Sequence, residues 1–158
     1  FQPLCPCDAA AKAWVEERLQ WLANEFPESA FSARPVVLPT AEFFPDPFDG
    51  SASAVRALLE RVCRYMDVAP ELIAMEIANG AGELWLVNED GQFYPPGAGG
   101  TYEECEGIYV IRVDESELYD PVGLVGVIAH ELAHARLLGE RRSDHEEYDN
   151  ELLTDLTV

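Results

Sequence analysis

The chain has 158 residues, of which 48% are hydrophobic, and this is enough for one domain with a substantial core. Its formal net charge is −20, because 30 acidic residues stand against 10 basic ones. Such a surface repels phosphate backbones and anionic lipids, so we expect no nucleic-acid and no membrane partner, whereas a basic peptide or protein is compatible. No apolar run approaches the length of a membrane span, and no signal-peptide pattern opens the chain.

Four cysteines, at positions 5, 7, 63 and 105, are too few for a disulfide scaffold in a chain of this size. A reduced, cytoplasmic protein is therefore expected, although secretion stays open because the chain starts at Phe1 and not at an initiator methionine. Cys63 falls on an apolar helix face and is expected to be buried. A structural zinc site of all four cysteines is an alternative, but the Cys5–Cys7 spacing matches none of the usual pairs.

The first 66 residues are predicted to be helical. A helix over residues 8–26 follows from an apolar stripe at helical spacing, which we expect to lie in the core. The stripe consists of Val15, Leu19, Leu22 and Phe26. An aromatic turn at residues 43–50 then leads to a second helix, capped by Ser51 or Ser53.

Strands are predicted next, at residues 72–77, 83–87, 92–94 and 108–113, with a hairpin turn at 89–91. The glycine-rich residues 95–102 are interpreted as a flexible loop or a lid. The order of elements favours an α+β fold, in which a small sheet packs on helices. We expect one domain over residues 1–158, with a helical part (1–66) followed by the sheet and the last two helices (70–158).

A well-marked helix begins at Asp120-Pro121, where aspartate can cap and proline fits the first helical position. Its residues are apolar nearly all round as far as Leu138, so we expect the helix to be buried. Gly139 is available for a left-handed cap at its end.

This helix carries the pattern HExxH at residues 130–134, and it uses two of the three histidines of the chain. Positions i and i+4 share one helix face, so His130 and His134 can bind one metal ion. Glu131 can then reach a zinc-bound water and take its proton. Composition predicts only about 0.007 chance occurrences of the pattern, and this favours a functional site.

Catalytic zinc normally has a third protein ligand. A last helix over residues 148–158 presents Glu151 and Asp155 on one face at i and i+4. His145 is an alternative third ligand, although it lies in a polar connection that is typical of a solvated loop.

In this combination of patterns the chain resembles the gluzincin metallopeptidases, a group of the zincins. The resemblance covers residues 121–158 and implies that His130, His134 and Glu151 bind zinc, that Glu131 is the base and that Asp155 hydrogen-bonds a ligand histidine. It further implies hydrolysis of a peptide or protein substrate, with residues 108–113 as an edge strand that binds extended substrate. The metzincin pattern is excluded, because Leu137 and Glu140 replace its glycine and histidine.

Two other classes of function stay open. The chain can be a catalytically silent metal-binding or regulatory domain on a zincin scaffold, or a protein-interaction module with a vestigial motif. Tyr102 or Tyr109 is an alternative source of a hydrogen bond to the oxyanion that forms during peptide hydrolysis. No pattern in the sequence predicts substrate preference or oligomeric state.

Overall fold

A computed structural model describes residues 7–32, 35–78, 100–144 and 148–158. Within these residues the protein is a small α+β structure with a three-stranded mixed sheet, which confirms the predicted class. The predicted strands at 83–87 and 92–94, the turn at 89–91, most of the glycine-rich loop, Cys5 and His145 lie outside the described residues.

Helix α1 (Ala9–Glu25) begins at Asp8, whose side chain accepts hydrogen bonds from two backbone N–H groups, and the short α2 (Ser29–Ser32) follows. The apolar stripe of α1 is only partly core. Leu22 and Phe26 are buried against Leu137 and other residues, whereas Leu19 is 45% exposed. The prediction that the stripe lies in the core is therefore confirmed for Leu22 and Phe26 and wrong for Leu19.

Helix α3 (Ala52–Met66) begins at Ser51, whose hydroxyl accepts the N–H of Ala54 at 3.3 Å. It packs on the later helix α4 (Pro121–His134) through a buried face that contains Leu59 and Cys63. Cys63 is fully buried, as predicted.

The sheet consists of β1 (Ile73–Ala78), β2 (Gly100–Cys105) and β3 (Ile108–Asp114) in the order β1-β3-β2. Strand β1 is parallel to β3, and β2 is antiparallel to it. Glu106 and Gly107 join β2 to β3 with φ values of 51° and 81°, the backbone that a two-residue hairpin turn requires.

Two predictions about these strands are wrong. Residues 100–102 belong to a strand and not to a loop, because Gly100 permits a close approach: a Cβ there would lie 2.7 Å from Val127 on α4. In addition, β3 is the central strand and not an edge, since it pairs with a neighbour on each side. Of the described strands, β2 is the edge strand that lies against α4.

Helix α4 begins as predicted, with Asp120 accepting the backbone N–H groups of Val122 and Gly123. One turn of π-helix, Ala135–Gly139, continues it. Gly139 is not a left-handed cap, because the positive φ of 58° falls on Arg141. A Cβ at Gly139 would instead lie 2.5 Å from the ring of Tyr109, so glycine is required here for close packing on β3.

The stretch Pro121–Gly139 is 19 residues long and apolar enough to cross a membrane by length and composition alone. The expectation that no run approaches this length is therefore wrong by this measure. In the structure 56% of the stretch is buried inside the protein, and a buried core helix passes the same test. The finding is accordingly weak evidence for a membrane span.

Helix α5 (Asn150–Thr157) packs on both α1 and α4. Leu153 is fully buried, in the same cluster as Phe26 and Leu137. The turn before α5 is held by Asp149, whose carboxylate accepts hydrogen bonds from Arg18 (2.8 and 2.9 Å) and from Trp14 (2.6 Å). These contacts join the start of α5 to α1.

Candidate metal centre

The two motif histidines project from α4 on one face, with ring centroids 4.9 Å apart and ring planes at 80°. Their environments differ. His134 is buried, whereas the side chain of His130 is 27% exposed. Glu131, between them in sequence, is buried at 5% exposure, as expected for a residue on a core helix.

Glu151 comes from α5 and brings one oxygen toward each histidine. Its Oε2 lies 3.2 Å from Nε2 of His130, and its Oε1 lies 3.6 Å from Nε2 of His134. Among the described residues, these three form a group whose ligand atoms lie within 4.8 Å of one another. The structure thus brings together the three side chains that the sequence singled out as ligands.

The donor atoms of this group are of the kinds that zinc binds. Two imidazole nitrogens and a carboxylate oxygen are a common catalytic zinc set, and tetrahedral ligands about 2.0–2.1 Å from the metal lie roughly 3.3–3.4 Å from one another. In the structure two different oxygens of Glu151 lie 3.2 and 3.6 Å from the two histidines, and one ligand atom from each residue lies within 4.8 Å of the others, so the group would close slightly around a zinc ion. Cys7, Cys63 and Cys105 form no comparable group within the described part of the chain. Because Cys5 and His145 are not described, the sites proposed for them stay predictions.

Asp155 lies one turn after Glu151 and contacts the opposite nitrogen of His130. Its Oδ1 accepts a hydrogen bond from Nδ1 at 2.9 Å. The predicted contact between this carboxylate and a motif histidine is therefore present. Its effect on metal binding stays a prediction.

Thr154 contacts a motif histidine, and this role was not predicted from the sequence. Its side-chain oxygen lies 3.3 Å from Nδ1 of His134 and 2.8 Å from the backbone oxygen of Asn150, and the residue is fully buried. The signal was present in the sequence, since Thr154 follows Glu151 by three positions and so shares its helix face.

Tyr102, on the edge strand β2, stacks its ring on that of His134, with centroids 6.0 Å apart and planes at 27°. Its hydroxyl oxygen is buried and has no hydrogen-bond partner among the described residues. Burial also raises the pKa of this phenol well above its ordinary value. The ring of Tyr109 packs against Gly139 instead. An oxyanion role for either tyrosine stays a prediction.

Hydrogen bonds and burial shift the pKa values of several groups in the centre. The hydrogen bond with Glu151 raises the pKa of His130 to about 9; burial opposes this shift, and the charge of Glu131 and the hydrogen bond with Asp155 add to it. Conversely, hydrogen bonds from His130 and His134 hold the pKa of Glu151 far below its usual range. The centre therefore offers Glu151 as a carboxylate throughout the physiological pH range.

Glu131 has the opposite shift. Burial raises the pKa of its carboxyl group, and the positive charge of the neighbouring histidines only partly offsets this effect. Strand β2 passes directly over the group: a Cβ on Gly100 would lie 2.9 Å from Oε1 of Glu131. Glycine at this position leaves the space that the carboxylate occupies.

Comparison of the chain with protein-family models, with curated proteins and with solved structures finds no match in any of the three.

Proposed function

We propose that the protein is a zinc-dependent hydrolase of the zincin type, most specifically a metallopeptidase, in which His130, His134 and Glu151 hold the metal. One observation carries this proposal. A carboxylate from a separate helix points its two oxygens at the Nε2 atoms of both HExxH histidines, at 3.2 and 3.6 Å. This is the ligand arrangement that the gluzincin resemblance implies.

The ligands have distinct tasks. A bound zinc ion would polarise a substrate carbonyl and lower the pKa of water to about 7. Glu151 contributes negative charge, and the two imidazoles contribute neutral nitrogens. Without metal, the pKa of His130 is about 9, so both of its ring nitrogens carry a proton at neutral pH. One of these protons would have to leave when the ring binds zinc.

Glu131 is the proposed general base. It would accept a proton from the attacking water and deliver it to the nitrogen of the leaving amine. Its raised pKa suits both steps, because a carboxylate with a pKa nearer neutrality holds the proton better between them. Its buried position also limits competing proton exchange with bulk water.

Strand β2 is the proposed binding edge for extended substrate, by resemblance to the zincins. It lies against α4, and its residue Gly100 lies beside Glu131. A substrate strand could add its backbone hydrogen bonds to such an edge. The exposed Glu104 on this strand, together with the net charge of −20, favours a basic peptide or protein as substrate.

The test combines metal content with peptide hydrolysis. Purified wild-type protein should contain one zinc per chain and cleave members of a basic peptide library, whereas His130→Ala should contain only traces. Glu151→Ala and His145→Ala, compared under the same conditions, decide between the two candidate third ligands. Glu115→Gln, on the turn before α4, is a charge-matched control and should keep both properties.

Two other outcomes of this test would indicate a different class of function. Stoichiometric zinc without cleavage of any peptide would indicate a silent metal-binding domain. Absence of zinc from metal-replete wild-type protein would remove the proposed centre and leave an interaction module with a vestigial motif.

A further inference from the structure

We propose that Thr154 is a positioning residue that fixes the tautomer of His134. Its hydroxyl would hold a ring proton on Nδ1, so that Nε2 is the nitrogen left for the metal. The expected effect on zinc binding rests on the proposed metal centre. The contact between Thr154 and His134 is present in the structure without a metal.

The direction of the hydrogen bond follows from counting protons. A threonine hydroxyl has one hydrogen to donate. The backbone oxygen of Asn150, 2.8 Å away, can only accept, so it takes that hydrogen. The contact of 3.3 Å with His134 then requires Nδ1 to be the donor. A neutral imidazole with its proton on Nδ1 leaves Nε2 as the acceptor or metal ligand.

Burial makes this contact hard to replace. Thr154 is fully buried and His134 is 7% exposed, so water has little access to either group. The equivalent contact of the other histidine differs, because the side chain of Asp155 is 69% exposed and solvent can substitute for it. The two imidazoles are thus oriented by different chemistry: an exposed carboxylate serves His130 and a buried hydroxyl serves His134.

Three residues of helix α5 therefore contact the two histidines. Glu151 faces the Nε2 atoms of both rings, Thr154 contacts Nδ1 of His134, and Asp155 contacts Nδ1 of His130. Outer contacts of this kind set the orientation and basicity of a ligand imidazole, and their loss typically weakens metal affinity by about 10–100-fold.

Three variants separate positioning from helix stability. Thr154→Val keeps the shape and removes the hydroxyl, whereas Thr154→Ser keeps the hydroxyl. Thr157→Val is the matched control, because Thr157 donates the same kind of bond to the backbone oxygen of Leu153 (2.7 Å) on the same helix. Zinc affinity is measured by competition with a chelator. Thr154→Val should bind zinc about 10–100-fold more weakly, while Thr154→Ser and Thr157→Val stay within about threefold of wild type.

A second readout needs no variant and no metal. Nitrogen-15 NMR of the His134 ring in metal-free wild-type protein should show a proton on Nδ1. An Nδ1 without a proton, or equal zinc affinity for Thr154→Val and Thr157→Val, would overturn the inference. Wild-type protein that shows the Nδ1–H tautomer but binds no zinc would instead refute the proposed centre and keep the Thr154 contact.

Discussion

The carboxylate of Asp155 accepts a hydrogen bond from His130, with 2.9 Å between Oδ1 and Nδ1. The same imidazole turns its other nitrogen to Glu151, one helical turn earlier. A single ring therefore contacts α5 at both of its nitrogens, and this orients the ring more strictly than either contact alone.

Asp155→Asn tests this contact. The amide keeps the shape but loses the negative charge that raises the basicity of His130, so zinc affinity should fall about tenfold. The loss should be smaller than for Thr154→Val, because solvent can reach this site. Competition with a chelator measures the zinc affinity of both variants. The variant Glu115→Gln is the control for the change in net charge. An affinity equal to that of the control would show that Asp155 does not act through His130.

Glu131→Gln should abolish hydrolysis while zinc content and fold are kept. The amide has the same shape but cannot accept a proton, and loss of a general base costs about 10²-fold or more in rate. Single-turnover kinetics on a cleaved peptide, together with zinc analysis of the same sample, gives the answer. A variant that retains more than about a tenth of the wild-type rate would remove Glu131 from the role of base.

Gly100→Ala should destabilise the protein by about 1–3 kcal/mol, because the new methyl group would overlap Val127 and the carboxylate of Glu131. Gly126→Ala is the control. Apart from its own stretch of α4, the described part of the chain places no atom within 4 Å of a Cβ at Gly126, so this change should be neutral or stabilising by up to about 1 kcal/mol. Urea unfolding compares the two, and equal stability of both variants would contradict the close approach of β2 to α4.

Arg18→Ala should cost about 3–5 kcal/mol of unfolding free energy, since it leaves the carboxylate of Asp149 buried without its charged partner. Arg56→Ala is the matched control, because it breaks an exposed pair with Glu60 and should change stability by less than about 1 kcal/mol. Chemical denaturation followed by tryptophan fluorescence measures both. A small effect of Arg18→Ala would mean that Asp149 gains enough solvent to remain charged.

Alkaline pH should destabilise the protein through Cys63. Burial raises the pKa of its thiol from 9.0 to about 11. The unfolded chain therefore loses the proton first, and the stabilising contribution is complete below pH 9 and disappears as the pH rises toward 11. At about pH 10 the loss is roughly 1 kcal/mol. Cys63→Ala should lower stability at every pH but remove this particular pH dependence, and urea unfolding at several pH values tests it. An unchanged slope would show that the dependence has another source.

The elements with a clear local pattern were predictable from the sequence. The helix α4 has a cap, a proline and a continuous apolar surface, and HExxH fixes which face carries the chemistry. Helical spacing also predicted that Glu151 and Asp155 share one helix face. Their roles as a metal ligand and as the partner of a histidine came from the gluzincin resemblance, with His145 as the alternative ligand.

Features that depend on contacts distant in the chain were not predictable. Gly100 and Gly139 look like loop and cap residues in the sequence, yet each is required where another element approaches closely. The pairing order of the sheet, with β3 in the centre, has no local signal either. For Thr154, helical spacing shows that it shares a face with Glu151, but its contact with His134 depends on how two helices pack and has no local signal.

Helix α5 has only eight residues, and a helix of that length is not stable by itself in water. It keeps its shape through Leu153, through Asp149 and through its contacts with the two histidines. Metal bound at the centre would link α5 to α4 much as a cross-link does, and removal of the metal would weaken α5 far more than the core. Local unfolding of this one segment would then separate Glu151 from the histidines while the rest of the protein stays folded.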